Sequence, residues 1–420
     1  MTRQMLMENV YFTYIPSEKF KTSLLSAQLA VPLRRETAAQ NALLVNVLSR
    51  GTARCPDMAS LNRELDMLYG AHLGPAVRKR GENQVVGFTA TCIDDRFLPP
   101  GEQLLEKLTG LLGDMLCDPA AEGGRLVEAY VDSERANLAD LIRSDVNDKR
   151  SYANRRLVEA MCAGEPFGVS RMGSLEDVEC ITRDGLDSHY HTLLAQGRLE
   201  LFYCGSAPEG RVLEALSAAF ARLPRQGGLE PGPTVRRPAP EAVRVVDEEM
   251  DVTQGKLCVG YRTMSSDEYA TMLMETMFGG FSSSKLFLNV REKLSLCYYA
   301  SSAYQRQKGL LTVSSGIAFE NYSRALEAIE AQLEAIRQGE WEEWELQGAR
   351  SSLLSGLRSI EDSAWALEDF VISKAVVGSS ETISELMEGI ETVTGERIQE
   401  AAKAVRPDTV YFLKGKEGRA

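Results

Sequence analysis

Histidine is scarce in this chain: His72, His189 and His191 are the only three in 420 residues. A metal centre or an imidazole-based acid and base pair therefore has few residues to draw on. Neither HExxH nor HxxEH occurs anywhere. That excludes both helical zinc motifs, in which two imidazoles one turn apart hold the metal and a glutamate activates water. No CxxC pair exists either. The eight cysteines (55, 92, 117, 162, 180, 204, 258 and 297) are scattered, several of them in apolar runs such as residues 88–93 and 257–260. That pattern predicts reduced, buried thiols and no disulfide framework. Long apolar runs are also lacking, since no window approaches the roughly 18 to 20 residues of a membrane-spanning helix. The first 21 residues carry Glu8 and Glu18 among their apolar positions, and so lack the apolar core of a signal peptide. Positive charge is in deficit, with 47 Lys and Arg against 60 Asp and Glu, a net charge of -13 and a pI near 5.0. Such a chain offers no general basic face to phosphates, and its acidity serves solubility. The expectation is a soluble, cytoplasmic protein with no nucleic-acid or membrane partner.

What is present is globular: 44% hydrophobic and 25% charged residues over a length that favours more than one domain. The sharpest change in composition is residues 225–241, RQGGLEPGPTVRRPAPE, where proline and glycine replace apolar periodicity. This divides the chain into residues 1–224, a linker at 225–241, and residues 242–420. Strands mixed with long amphipathic helices predict an α+β fold. The halves also resemble each other. RLELFYCGSAPEGR at residues 198–211 and DTVYFLKGKEGR at 408–419 are both strands ending at a glycine, and Gly205 superposes on Gly415 at an offset of 210. Upstream, SLLSAQLAVPL (23–33) leads into a helix and then Gly51-Thr52, while GKLCVGYRT (255–263) leads into a helix and then Gly279-Gly280. A strand and helix order used twice implies a duplicated α/β unit, and a period this long means domains, not a solenoid. Residues 84–93, QVVGFTATCI, read as a strand, and 98–118 and 123–147 as helices. The charges on the second helix, Asp132, Glu134 and Arg135 among them, read as a solvated face.

This arrangement, with the phrase GGFSSSKLFLNVREKLSLCYYA at residues 279–300, resembles the inverted-zincin peptidases, the family of pitrilysin, insulin-degrading enzyme and mitochondrial processing peptidase. The resemblance covers most of the chain and implies two homologous α/β-roll domains, mainly antiparallel sheets with helices packed on one side. Active members carry HxxEH on the first helix, which here is NALLVNVLSR (41–50). Aligned on Gly51-Thr52, the histidine, glutamate and histidine positions fall on Ala42, Val45 and Asn46. A carbon side chain has no donor atom, and an amide is a poor substitute for imidazole. The third ligand position, on a later helix beyond Glu134, falls on Leu141 with Asp140 beside it. The resemblance therefore implies no catalytic residue, no metal and no cofactor in this chain. The second half keeps more of the family pattern: Arg291 and Tyr298 have the seven-residue spacing of a substrate-binding arginine and tyrosine. A guanidinium can clamp a peptide carbonyl and a phenol can donate to one. The alternative is that Arg291 pairs with Glu292 or Glu275 while Tyr298 packs in a strand.

Other motifs carry less. Gly279 to Lys285 lacks the glycine that precedes Lys-Ser/Thr in a phosphate loop, and its glycines end a helix. His189 and His191 diverge on a helix and read as surface or capping residues, and His72 lies in a turn. Arg78-Lys79-Arg80 and WEEWE at 341–345 read as solvated faces. In the family, the strand after the first helix offers its edge to an extended peptide, which by resemblance points to residues 85–91. These readings favour a catalytically inactive homologue, the peptide-binding subunit of a heterodimer whose HxxEH-bearing paralogue supplies the zinc. A self-associated peptide-binding or scaffold protein is the alternative. Residues 295–321 further resemble Gram-positive peptidase-like proteins associated with elongation factor P modification.

Overall fold

The computed structural model describes residues 1–416. Strands β1 (Thr2–Met7), β2 (Val10–Pro16), β3 (Thr22–Pro32), β4 (His72–Arg80) and β5 (Asn83–Ile93) come first, then a two-residue hairpin, β6 (Ala121–Glu122) and β7 (Arg125–Leu126). They are followed by β8 (Arg198–Gly205), β9 (Arg244–Met250), β10 (Gly255–Thr263), β11 (Cys297–Gln305), β12 (Leu310–Ile317) and β13 (Val405–Gly415). One sheet has the order β1-β2-β8-β3-β5-β4 and the other β11-β12-β10-β13-β9. In each, one parallel pair (β2 with β8, β9 with β13) is followed by antiparallel neighbours. Five strands of the first sheet thus match all five of the second in order and direction, so the duplication inferred from sequence is real at the level of topology. The offset of 210 is not. It sets Tyr203, which lines the main core of the first sheet, on Leu413, which faces the opposite side of the second. Because side chains alternate along a strand, an even offset here reverses the face, and the strands superpose only at an odd one.

Two compact units form, and they are not the two sequence halves. The first comprises Met1–Ser144, Val169–Pro233 and Asp362–Ser379; the second comprises Asp145–Gly168, Thr234–Glu361 and the described residues from Ser380 on. The boundary at Pro233 and Thr234 falls inside the expected linker. The departure is that each half contributes one helix to the other's unit, Ala364–Val376 to the first and Lys149–Met161 to the second. The linker is also not free chain. Arg225 donates to the Leu194, Asn9 and Gly197 carbonyls in the first unit, and Arg236 donates to the Ser265 and Arg306 carbonyls in the second.

This exchange explains why the inner strands read as continuous apolar runs. A strand covered on one face alternates, whereas one covered on both need not. In β3, Leu25, Ala27, Leu29 and Val31 join the main core with the helix Arg35–Leu48, while Leu24 and Ala30 meet Val371, Ile372 and Val376 of the exchanged helix. In β10, Leu257, Val259 and Tyr261 face the second core, and Cys258 faces Ala153, Leu157 and Met161. The approach there is so close that a Cβ on Gly260 would lie 2.2 Å from the Met161 sulfur, so any larger residue would displace that side chain.

Buried ion pairs fix the exchanged helices. In the first unit, Arg78 Nη1 donates to Glu368 Oε2 at 2.6 Å, with the Glu368 side chain fully buried, and Arg80 pairs with Asp369. Lys79 donates to the Val169 carbonyl. The basic cluster expected to be a solvated face is therefore the clasp of a helix that lies 290 residues away in sequence. Glu345 of the acidic run is likewise engaged, paired at 3.0 Å with the buried Lys285.

Candidate functional site

The helix Arg35–Leu48 carries the positions aligned with the zinc motif. Its β3-facing side is apolar and deeply packed, so Ala42 is fully buried and Val45 is 1% exposed. Asn46 Nδ2 donates to the Ala42 carbonyl at 3.0 Å, turning the amide NH2 onto its own helix. On the helix Glu128–Ser144, Leu141 is 52% exposed and Asp140 pairs with Arg143 at 2.9 Å. Glu134 is not part of a solvated face: Arg50 Nη1 donates to it at 2.9 Å and lies over the Tyr130 ring. Among the described residues, no group of three His, Cys, Asp or Glu side chains could hold a metal. The residues present do not fit zinc: Ala42, Val45 and Leu141 carry no donor atom, and a single neutral amide, Asn46, is no ligand set.

Beside that helix, Asn41 is buried and bonded on both sides. Gln84 Nε2 donates to the Ala38 and Arg171 carbonyls, which leaves its Oε1 to accept from Asn41 Nδ2 at 2.8 Å. Asn41 Oδ1 then accepts from His189 Nε2 at 2.6 Å. His189 is thus not the surface or capping residue the sequence suggested. Burial holds its pKa down at about 4, so it is a neutral donor at pH 7. His191 is exposed and near Asp187, and His72 begins β4 instead of lying in a turn.

The strand aligned with the family's peptide-binding edge is also displaced. β5, which contains residues 85–91, pairs with β3 on one side and β4 on the other, so it has no free edge. The edge strands of this sheet are β1 and, beside β5, β4. The pattern of β5 is equally that of an inner strand, which is why sequence alone misplaced the edge.

In the second unit the helix Glu268–Glu275 widens into π-helical turns at Thr276–Gly280, and a further π-helical segment spans Leu286–Lys293 and packs on β11. The close approach at Gly279 leaves no room for a side chain, since a Cβ would lie 2.6 Å from the Ser302 amide nitrogen. Glu275 is enclosed here. Burial raises its pKa to about 7, against the hydrogen bond from Ser302 Oγ at 2.7 Å. Arg291 stands on the second π-helical segment with its guanidinium 4.6 Å from the Phe287 ring centroid and 3.5 Å from Glu292. Glu275 is not its partner. Tyr298 falls at an irregularity in the pairing of β11 with β12: Cys297 pairs with Ile317 and Tyr299 with Gly316, leaving Tyr298 as the extra residue. Such a bulge re-aims a side chain, and Tyr298 is 67% exposed.

A family model described as the peptidase M16 inactive domain matches residues 181–353. The probable inactive metalloprotease YmfF of Bacillus subtilis is 35% identical over 409 residues, covering 96% of this chain and 95% of the relative. The chain belongs to the M16 peptidase family. A conserved protein from Enterococcus faecalis V583 has the same fold with a TM-score of 0.90 at 27% identity, covering 100% of this chain and 99% of its own. A peptidase M16 inactive domain from Pseudomonas fluorescens superposes with a TM-score of 0.78 at 15% identity, over 98% and 97% of the two chains. Within the M16 family the chain is an inactive metalloprotease homologue, matching the M16 inactive domain and a probable inactive metalloprotease. Seven cysteines are buried or half-buried as expected, and Cys180 is exposed. No helix among the described residues is long and apolar enough to cross a membrane.

Proposed function

We propose that this M16 homologue is the non-catalytic, peptide-binding subunit of a cytoplasmic heterodimer whose other subunit bears HxxEH. The observation that carries the reading is the contrast between the two units. The positions aligned with the zinc motif offer no imidazole or carboxylate and Ala42 and Val45 are packed away, while Tyr298 is pushed out of its strand by a bulge and stands exposed after the segment that carries Arg291. A phenol and a guanidinium at solvent are suited to a peptide backbone, the first as donor and the second as a clamp on carbonyls. The outer side of β4, which pairs only with β5 among the described residues, supports the same reading because an extended peptide can add to a sheet edge. The likeness of residues 295–321 to proteins associated with elongation factor P modification gives the setting we favour.

The test is co-purification with an HxxEH paralogue and a peptide cleavage assay. The complex should form, and Tyr298→Phe or Arg291→Met should lower cleavage by about 100- to 1,000-fold, the scale of losing one transition-state donor, without weakening the complex. If no complex forms and cleavage by the paralogue is unchanged by this chain, the reading fails.

A further inference from the structure

On the face of the second sheet that meets the exchanged helix Lys149–Met161, three strands align their residues in two rows. Lys256, Gly316 and Tyr299 lie side by side, and Cys258, Ser314 and Ser301 lie side by side in the next row on the same face. Gly316 leaves a dent. A Cβ there would be 2.5 Å from the Tyr299 ring and 2.8 Å from Gln254 Oε1, so the ring lies down across the middle strand. The Arg150 guanidinium, from the first turn of the helix, sits 4.2 Å from that ring's centroid and donates to Ser301 Oγ at 2.9 Å. The Lys256 ammonium is 5.7 Å from the same centroid and donates to Gln254 Oε1 at 2.5 Å. One turn along the helix, Asn154 donates to Ser314 Oγ at 3.2 Å.

Two cations share one aromatic ring, yet neither forms an ion pair with any described carboxylate, in a chain where acids outnumber bases by 60 to 47. Asp148, the acid nearest in sequence, is committed elsewhere: it accepts from the Arg150 and Ser151 amides and from Ser151 Oγ as the helix cap. Lys256 registers the imbalance, its pKa held below the ordinary lysine range by burial first and by the charge of Arg150, against the opposing charges of Cys258 and Asp148. Like charges held together on a polar floor are stabilised by an anion. The geometry suits a carboxylate, because a stacked guanidinium keeps its N–H fork oriented and an ammonium adds a point charge beside it.

We infer that Arg150 and Lys256, with Tyr299 between them, form a recognition site for a carboxylate of the bound peptide, either an acidic side chain or a free C-terminus. This rests on the peptide-binding reading above. The experiment uses the full chain and an extended, fluorescently labelled peptide whose binding is followed by anisotropy. The peptide is made in acidic form, with Glu replaced by Gln, and with the C-terminus amidated. Neutralising the recognised carboxylate should weaken binding by roughly 10-fold, the strength of a charge-assisted contact. Whether the Gln exchange or the amidation does so identifies its source. Arg150→Met and Lys256→Met should each abolish that difference while leaving the affinity for the neutral peptide unchanged, and Arg150→Lys should restore part of it. The inference is overturned if acidic and neutral peptides bind the wild type equally. It is also overturned if the variants weaken both alike, or if inorganic phosphate displaces the acidic peptide more effectively than acetate does. If neither peptide binds, the peptide-binding reading itself has failed, a result distinct from equal binding.

Discussion

Replacing Arg262 by methionine probes what holds the exchanged helix to the second unit. Arg262 is 4% exposed and lies between two carboxylates, donating through Nη2 to Glu165 at 2.7 Å and through Nε to Asp408 at 2.6 Å, and also to the Met161 carbonyl. Glu165 follows the helix Lys149–Met161 in the exchanged segment, whereas Arg262 and Asp408 belong to β10 and β13. Methionine matches the length of the aliphatic stem but strands both acids. Breaking a buried pair from one side costs about 3–5 kcal/mol. Because Lys308 still reaches Glu165 at 2.5 Å and Arg244 still reaches Asp408 at 2.9 Å, the lower end, about 3 kcal/mol, applies. For a unit of this size that is a fall in Tm of about 6–12 °C at 2–4 °C per kcal/mol. Differential scanning calorimetry at pH 7 measures it, with Arg143→Met, which removes exposed pairs to Asp140 and Glu179, as a control expected within about 0.5 kcal/mol. The sign with pH follows from Glu165. Burial pushes its carboxyl up, but hydrogen bonds and charge from Arg262 and Lys308 outweigh that and leave it below the usual range. Its contribution is therefore present above the unfolded carboxylate pKa of about 4.3 and lost as pH falls through the lower folded value. In Arg262→Met the folded carboxyl moves up toward the unfolded value, so this acid-dependent part of the stability should shrink. A Tm shift no larger than that of Arg143→Met would refute the reasoning, as would failure of the added changes Glu165→Gln and Asp408→Asn to recover any of the loss.

Two further outcomes can be checked directly. Rebuilding the motif with Ala42→His, Val45→Glu, Asn46→His and Leu141→Glu should yield far less than stoichiometric zinc by mass spectrometry and a lower Tm, because the first two changes enlarge fully packed positions at about 1–3 kcal/mol each. Tight stoichiometric zinc would show that the packing is not what excludes the metal. His189 should remain neutral by NMR down to about pH 4. Since its folded pKa lies below the unfolded value near 6.5, the unfolded chain binds the extra proton, and stability should fall by up to roughly 3 kcal/mol as pH drops from about 6.5 to 4. A His189 titration midpoint near 6.5 would contradict the buried Asn41 contact.

What the sequence disclosed and what it hid divide along a physical line. Inner strands such as β3 and β10 were legible because burial on both faces leaves an uninterrupted apolar signature. The domain boundary was legible because proline and glycine interrupt it. The exchanged helices were not, because nothing local in KRSYANRRLVEAM or AWALEDFVISKAV says whose sheet they cover. For the same reason Arg78 and Arg80 read as solvated: their partners Glu368 and Asp369 become neighbours only through the fold. The absence of HxxEH could be read directly, since it is a property of the sequence itself. Arg150, Lys256 and Tyr299 could not, since a site assembled from three distant segments has no signature in any of them.

The same distinction bears on what the loss of zinc means. An abandoned metal site that kept its cavity would leave buried polar groups without partners, at about 1–3 kcal/mol each. Here Ala42 and Val45 belong to the main core of the first unit and Asn41 closes a hydrogen-bonded network with Gln84 and His189. The helix that would have held the metal now contributes packing. In the second unit the polar groups of Arg291 and Tyr298 are not absorbed into a core: the guanidinium rests on Phe287, and the phenol is held out of the sheet by a bulge that interrupts the ladder. Stability alone gives no reason to break a ladder so as to expose a tyrosine. A surface that meets another chain would give one, and the proposed peptide-binding role rests on that contrast between the units.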